Sequence, residues 1–409
     1  MCRTVRPVVH NKGEILLVRG VAGWDTVSGP AGTDPQQAAR RTLTRTGFSA
    51  TALELVRAGD PFAGGESEQI YPFLFDCERR DITVDEGGRA EWVPPPAILE
   101  RETAAGLWES YDRVRPTVET VAGDTEHGST HISVRALEVL RDEAALTIHG
   151  TGSGGVAPGD TGPVATVARE LLAARPAMTA VLNRVHRVMS VADTTAAVPG
   201  VAHEAVGRAR RVDDQAAATA ADLLGTRVAT LSRSGTVRQT LAAADPERVL
   251  VAVSRPGGEG AGVAHRLATK DNGPAVTVTT DAAFAAELAT QEVETLLVGA
   301  DSVLADGRVL NKTGTRGAAL AAAHEGIDVV VVTASDKISP GTGYDREERD
   351  PAEVYDGPAP VSVANPTFDL TPPEVVDTVV TERGSLDSRA VAEIAAEHRA
   401  LRGWHEDVS

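Results

Sequence analysis

The sequence predicts an α/β protein built from more than one unit, and three observations predict it. Beyond residue 226, short runs rich in β-branched residues alternate with helix-length segments, the pattern of a parallel sheet wound with crossover helices. Between residues 131 and 224 apolar residues recur at helical spacing, so that stretch reads as helices alone. The first 120 residues read as short strands around one helix, and they hold three of the four tryptophans and both cysteines. At 409 residues the chain is too long for one ordinary core, and ~100–200 residues per domain gives two or three units. The expected division is a first domain at 1–118, a linker at 119–130, a helical subdomain at 131–225 and a parallel-sheet domain at 226–409.

Each element has a local reason. Residues 5–10 and 14–19 form a hairpin about Asn11-Lys12-Gly13, and 71–76 and 90–93 are further strands. Asp34-Pro35-Gln36-Gln37 opens a helix: Asp34 caps it, Pro35 suits its first turn, Gln37 completes a capping box, and Gly47 ends it. Residues 119–130 have linker composition. Ile132, Val134, Leu137 and Leu140 stripe a helix over 131–145, and helices follow at 162–174, 176–189 and 202–224. Strands are expected at 227–230, 248–253, 275–279, 295–298 and 329–333, with glycines making a tight βα turn at 255–260.

Composition narrows the function. Aromatic residues are only 3% of the chain, so its cores must be built from Val, Leu, Ile and Ala. The formal net charge is −18, a surface that repels nucleic acid. The chain is alanine-rich and its only lysines are Lys12, Lys270, Lys312 and Lys337, a composition suited to a salt-adapted cytoplasm. Cys2 and Cys77 are too few for a disulfide framework and lack metal-ligand spacing, which points to a reducing interior. No run approaches the ~18 apolar residues of a membrane span and no signal peptide is recognisable, so a cytoplasmic location is expected.

The most informative stretch is 298–315. It joins an acid, a cation and a loop in one strand-loop-helix unit: Asp301 ends the 295–299 strand, Asn311 and Lys312 follow, and residues 318–323 begin a helix. Ligands of open α/β sheets collect at such strand ends. Two of the four lysines, Lys312 and Lys337, fall in this last α/β unit and are candidate phosphate contacts. Gly150, Gly152 and Gly155 satisfy G-x-G-x-x-G, but Pro158 and Gly159 follow at once and no long helix opens there, so no dinucleotide cofactor is expected. No histidine pair has helical metal-ligand spacing with a third partner; His127 and His131 are four apart but straddle a helix start, and no metal is expected.

Two resemblances extend this reading. Residues 24–48, with Gly29, the Ala38-Ala39-Arg40-Arg41 run and Thr46-Gly47-Phe48, resemble a Nudix box, which implies a Nudix-like α/β/α domain over 1–118. Nudix hydrolases hold magnesium on glutamates of this helix; here those positions fall on Arg41, Thr42, Thr44, Arg45 or Thr46, which implies the fold without the hydrolysis. Further along, Ala174-Arg175-Pro176-Ala177-Met178, Leu231-Ser232-Arg233-Ser234-Gly235-Thr236-Val237, Ser254-Arg255-Pro256, Thr280-Asp281-Ala282, residues 299–315, residues 365–373 and Thr381-Glu382-Arg383-Gly384 occur in order. Together they resemble the family of the alpha, beta and delta subunits of translation initiation factor 2B, methylthioribose-1-phosphate isomerase and ribose-1,5-bisphosphate isomerase. The resemblance implies a helical subdomain, a Rossmann-like parallel-sheet domain and dimerisation through the latter.

In the family's isomerases a cysteine and an aspartate exchange protons with an open-chain aldose phosphate. The resemblance places the aspartate at Asp301 and the cysteine at Ser232, and it carries ligand binding to His149, Gly150, Thr151, Gly152, Arg175, Ser234, Gly235, Thr236, Asn311, Lys312 and Lys337. A thiol ionises near 8.5 and can be tuned to a useful base, whereas an unassisted serine hydroxyl cannot. The main expectation is therefore a regulatory protein that binds a sugar phosphate or nucleotide and assembles with copies of itself. The alternative is an aldose–ketose isomerase of the ribose-1,5-bisphosphate type using Asp301 with Ser232; Nudix hydrolysis is disfavoured.

Overall fold

The computed structural model describes residues 2–65, 68–77, 79–80, 89–150 and 162–406. The chain divides into two compact units, one gathering residues 1–124, 134–174 and 191–207, the other residues 125–133, 175–190 and 208–409.

In the first unit a two-residue turn sets the register. Lys12 (φ 52°) and Gly13 (φ 87°) both take positive φ, the primed geometry that matches the twist of a tight hairpin, and they join Cys2–Asn11 to Glu14–Gly20 with His10 opposite Ile15. Glu68–Cys77 lies parallel to Cys2–Asn11, and the remaining pairings of this eight-stranded sheet are antiparallel. Side chains alternate between its faces: Phe73 and Phe75 pack with Ala39 and Leu43 of the Pro35–Arg45 helix, while Leu74 packs with Trp24, Leu107 and Tyr111 on the other side. Asp34 caps that helix through Gln37 N–H, as the sequence implies, but no capping box closes because the Gln37 side chain accepts from Arg41 instead. The stretch of linker composition holds a helix, Val118–Gly123, opened by a reciprocal Thr117–Thr120 capping box.

The second unit is wound on a seven-stranded sheet. Its order is Ala275–Thr279, Arg248–Ala252, Arg227–Thr230, Thr295–Val298, Asp328–Val332, Thr378–Thr381 and Gly384–Leu386, parallel throughout except for the last strand. Both faces of its central strands are buried, which is why those strands read as continuous apolar runs, while the edge strand Ala275–Thr279 is largely exposed. Leu250, Leu296, Val298, Val329 and Val331 face Phe284, Leu288, Ala318 and Ile394; Val228, Val249, Leu297 and Val330 face Val237, Leu241, Val263 and Leu267. Helices at Gly235–Ala244, Glu259–Ala268, Asp281–Thr290, Thr315–Glu325 and Ser388–Ala400 make the crossovers and the flank. Gly260 is obligatory, since a Cβ there would lie 1.8 Å from the Ala252 carbonyl oxygen. No helix among the described residues is long and apolar enough to cross a membrane.

Buried charge in this unit converges on Asp336. Arg184 Nε and Arg187 Nη2 each lie 3.1 Å from its carboxylate, and Asn183 Nδ2 donates to its backbone carbonyl at 2.9 Å. Burial alone would raise the carboxyl, but Arg184, Arg187 and Arg208 outweigh it and hold Asp336 at about 2, against an ordinary 3.8. Because the folded value is the lower one, the stability this carboxylate supplies is present above pH 3.8 and is lost as pH falls towards 2. Asp336→Asn, which strands buried arginine charge, is expected to cost about 3–5 kcal/mol in denaturant unfolding at neutral pH and to flatten the acid limb of the stability curve.

Candidate functional site

A parallel sheet ordered three-two-one-four-five-six has a switch point between its first and fourth strands, where the chain turns away in opposite directions and leaves a crevice at the carboxyl ends. Those two strands are Arg227–Thr230 and Thr295–Val298, paired through Thr295 with Val228 and Leu296 with Ala229. Ser232 follows the first and Asp301 the second, so sheet order alone brings the two sequence-chosen residues to the same crevice.

The Ser232 loop is held from several directions. Ser232 takes φ 61° and donates its N–H to Ser254 Oγ at 2.6 Å. Ser254, in the loop after the neighbouring strand, takes φ 67°; its N–H and that of Arg255 donate to the two carboxylate oxygens of Asp281 at 2.8 and 2.7 Å. Ser234 caps the Gly235–Ala244 helix by accepting from Val237 N–H at 3.3 Å. Thr236 turns inward and bonds Asp213 at 3.3 Å, while Gly235 lies exposed at the start of the helix. The loop also abuts the facing strand, for a Cβ on Gly299 would lie 2.8 Å from Ser234 Oγ.

Asp301 sits under a small antiparallel sheet rather than in a plain loop. Its N–H donates to Leu310 O at 2.9 Å, and Ser302–Val303, Val309–Lys312 and Phe368–Thr371 form three strands between the end of its own strand and the Thr315–Glu325 helix. That sheet buries Asn311 and Lys312. Asn311 Nδ2 donates to Thr315 Oγ1 at 3.0 Å, and Thr315 donates in turn to Lys312 O at 2.7 Å. Lys312 Nζ reaches Glu259 at 3.0 Å, and Lys337 Nζ donates to Ala300 O at 3.0 Å. Burial raises the Asp301 carboxyl above its ordinary 3.8; Lys337, a hydrogen bond from the Ser129 hydroxyl and Lys312 pull it back only in part. A carboxyl raised by burial beside two ammonium groups combines a proton carrier with charge for an anion.

Sequence reasoning missed three residues here. Ser129 bonds Asp301, and Glu259 pairs with Lys312. Glu347, at φ 47°, is raised by burial and then by the charges of Asp301 and Asp345, with Arg175 opposing. Each lies far from Asp301 in sequence; Ser129 and Glu347 belong to no recognisable motif, and Glu259 sits in the 255–260 turn, where only the glycines carried a signal. His149 and Gly150 follow the Ser129–Ile148 helix and belong to the first unit, while Thr151 and Gly152 lie outside the described residues.

Residues 125–388, more than half of the chain, match the initiation factor 2 subunit family. The chain is 40% identical over 151 residues to a ribose 1,5-bisphosphate isomerase of Haloferax volcanii, covering 35% of this chain and 46% of that protein. It is 41% identical over 184 residues to a probable bifunctional methylthioribose-1-phosphate isomerase/methylthioribulose-1-phosphate dehydratase of Nocardia farcinica, covering 39% and 31%. The chain thus spans less than half the length of these curated relatives. Among solved structures it resembles the translation initiation factor eIF-2B of Pyrococcus horikoshii OT3, with a TM-score of 0.54 and 24% identity over 66% of this chain and 94% of that one. The 5-methylthioribose 1-phosphate isomerase of the same organism also gives 0.54, with 18% identity over 78% and 91%. At these identities the likeness is one of fold.

The contact between the two loops is directly testable. Gly299→Ala is expected to destabilise the protein by about 1–3 kcal/mol through overpacking against Ser234. In a double-mutant cycle followed by thermal unfolding, Ser234→Gly should recover part of that loss; additive effects would rule the contact out.

Proposed function

Since the chain belongs to the initiation factor 2 subunit family, we propose that its crevice binds a pentose 1-phosphate, opens its ring and interconverts aldose and ketose, with Asp301 as the proton carrier. The observation that carries this reading is the raised, partly buried Asp301 carboxyl beside Lys337 and Lys312. In the forward step the carboxylate takes the proton from C2 of the aldose 1-phosphate as the C1–O4 bond of the ring breaks, an enol phosphate with a C1–C2 double bond forms, and the same proton is delivered to C1. The hydroxyl proton of O2 passes through Ser232 to O4, leaving a carbonyl at C2, a free hydroxyl at C4 and the phosphate still on O1, so no atom is gained or lost. Lys312, Lys337 and Arg175 neutralise phosphate, with Ser234, Gly235, Thr236 and Asn311 around them. Burial suits Asp301 to this work, because a carboxyl nearer the working pH both accepts and returns a proton readily. The isomerase names of the curated relatives support the reaction class.

One observation favours a second reading, ligand binding with a regulatory outcome. Serine stands where the family's isomerases use cysteine, and among the described residues no base bonds the Ser232 hydroxyl. The two readings part in one assay. Purified protein supplied with ribose 1,5-bisphosphate and followed by NMR should form the ketose, and Asp301→Asn should lower kcat by about 10²–10⁴-fold. Ser232→Cys should raise it. Binding seen by calorimetry without turnover in the wild type, with activity only in Ser232→Cys, would establish the regulatory reading instead.

The domain division at 118, 130 and 225 remains part of the proposal, as do a homo-oligomer and a salt-adapted cytoplasmic setting. For residues 1–118 we propose a Nudix-like fold kept for binding. The Pro35–Arg45 helix contains no acidic residue, so no magnesium-dependent release of phosphate products from nucleoside diphosphate compounds is expected. A colorimetric phosphate assay with and without EDTA checks this.

A further inference from the structure

We propose that Arg19, Arg89 and Arg101, gathered around Trp24, bind the phosphate of a small phosphorylated metabolite in a cleft of the first unit. The cleft has a volume of about 340 Å³, in the size range of small-molecule sites, and Glu91 and Glu102 complete its lining. It lies on the sheet face opposite the Pro35–Arg45 helix, because Trp24 packs with Leu74, Leu107 and Tyr111 and not with Ala39 and Leu43. None of its residues belongs to the crevice around Asp301, and the Nudix metal positions lie on that opposite helix. The backbone fixes the cleft before any ligand arrives. Arg19 stands opposite Trp24, and Leu17 opposite Glu91, across antiparallel pairs. Trp24 N–H donates to Glu102 O at 2.9 Å, Trp24 O accepts from Ala104 N–H at 2.9 Å, and Arg19 N–H donates to Arg89 O at 2.8 Å. Gly23, at φ 101°, has no room for a Cβ, which would lie 2.5 Å from Glu102 O. Separate segments of the first unit are thus locked around one indole.

Charge decides what the cleft takes. The guanidinium carbons of Arg19, Arg89 and Arg101 lie 5.9, 5.8 and 4.9 Å from the Trp24 ring centroid. Glu91 answers two of these three charges, Arg89 at 2.6 Å and Arg101 at 2.8 Å. Among the described residues no carboxylate pairs with Arg19, whose side chain is exposed. In a chain of net charge −18, three arginines against two glutamates make a local excess of positive charge. Guanidinium forks match phosphate oxygens bidentately, and the indole and Glu91 hold Arg89 and Arg101 in place, so little side-chain freedom is lost on binding. Glu102, an exposed acid of the lining, can only accept, which favours a phosphate ester carrying sugar hydroxyls over bare phosphate. A sugar phosphate and a nucleotide share this chemistry. The proposal goes beyond the binding role proposed for residues 1–118, resting on the cleft and not on the Nudix resemblance.

The test uses the full chain carrying 5-fluorotryptophan, read by fluorine NMR. Its four tryptophans give four resonances, and Trp92→Phe, Trp108→Phe and Trp404→Phe assign Trp24 by elimination. Ribose 5-phosphate and uridine 5′-monophosphate are each expected to shift the Trp24 resonance saturably, whereas ribose and uridine should not. The tighter of the two phosphates identifies the source as sugar phosphate or nucleotide. Arg19→Gln and Arg89→Gln, both at exposed side chains, should each weaken binding about 10–100-fold, the worth of a hydrogen bond to a charged group. Arg41→Gln, on the Pro35–Arg45 helix, should leave it unchanged, and circular dichroism checks that the variants fold. Asp301→Asn should leave the Trp24 shift unchanged, which separates failure of this proposal from failure of the crevice reading. Absence of a saturable Trp24 shift with either phosphate, equal affinity in the wild type, Arg19→Gln and Arg89→Gln, or an equal loss in Arg41→Gln overturns the site.

Discussion

The parallel pairing of Arg227–Thr230 with Thr295–Val298 is the constraint on which the candidate site depends. Neighbouring strands in a doubly wound sheet lie about 4.8 Å apart, and here they carry Ser232 and Asp301 just beyond their carboxyl ends. The approach is close enough that residue 299 has room only for hydrogen where Ser234 stands. A side chain there would push the helix-capping loop away from the strand that presents Asp301. Packing, helix capping and site geometry are thus one constraint seen from three sides.

Electrostatics adds a second layer. In a chain of net charge −18 with four lysines, two of the four are buried around Asp301. Buried ammonium groups are costly to desolvate, and each is met by oxygen: Lys312 by Glu259, Lys337 by the Ala300 carbonyl. The arrangement lowers the cost of burial while leaving the charges within reach of Asp301. Asp336, next to Lys337 in sequence, is clamped by arginines, so the short Ser335–Lys337 turn is fixed from below as well as from the site. Asp301 and Asp336 therefore move in opposite directions from the same starting value: burial prevails at the first, and the arginines prevail at the second.

Much of this was legible in the residues. The Lys12-Gly13 turn, the Asp34 cap, the Gly162–Ala174 helix and five strands of the parallel sheet follow from short-range rules of backbone and burial, and they appear where the sequence places them, to within a residue or two at the strand ends, whereas Thr378–Thr381 and Gly384–Leu386 were not read as strands. Gln37 did not close its capping box because a guanidinium one turn on competes for the same amide oxygen. The Asp301 loop was read as irregular, but its third strand, Phe368–Thr371, comes from more than fifty residues away, and no local pattern announces that pairing.

By itself, the sequence determined the alternation of elements, the parallel sheet of the C-terminal half, and the identity of Asp301, Lys312 and Lys337 as the residues to watch. Those are properties of residue type and of spacing within one or two turns. Only the tertiary structure decided which oxygen each lysine faces and that Ser129 and Glu347 join Asp301. The physical reason is range: propensity and periodicity act over a few bonds, whereas desolvation and Coulomb attraction depend on which distant segments the folded chain brings together.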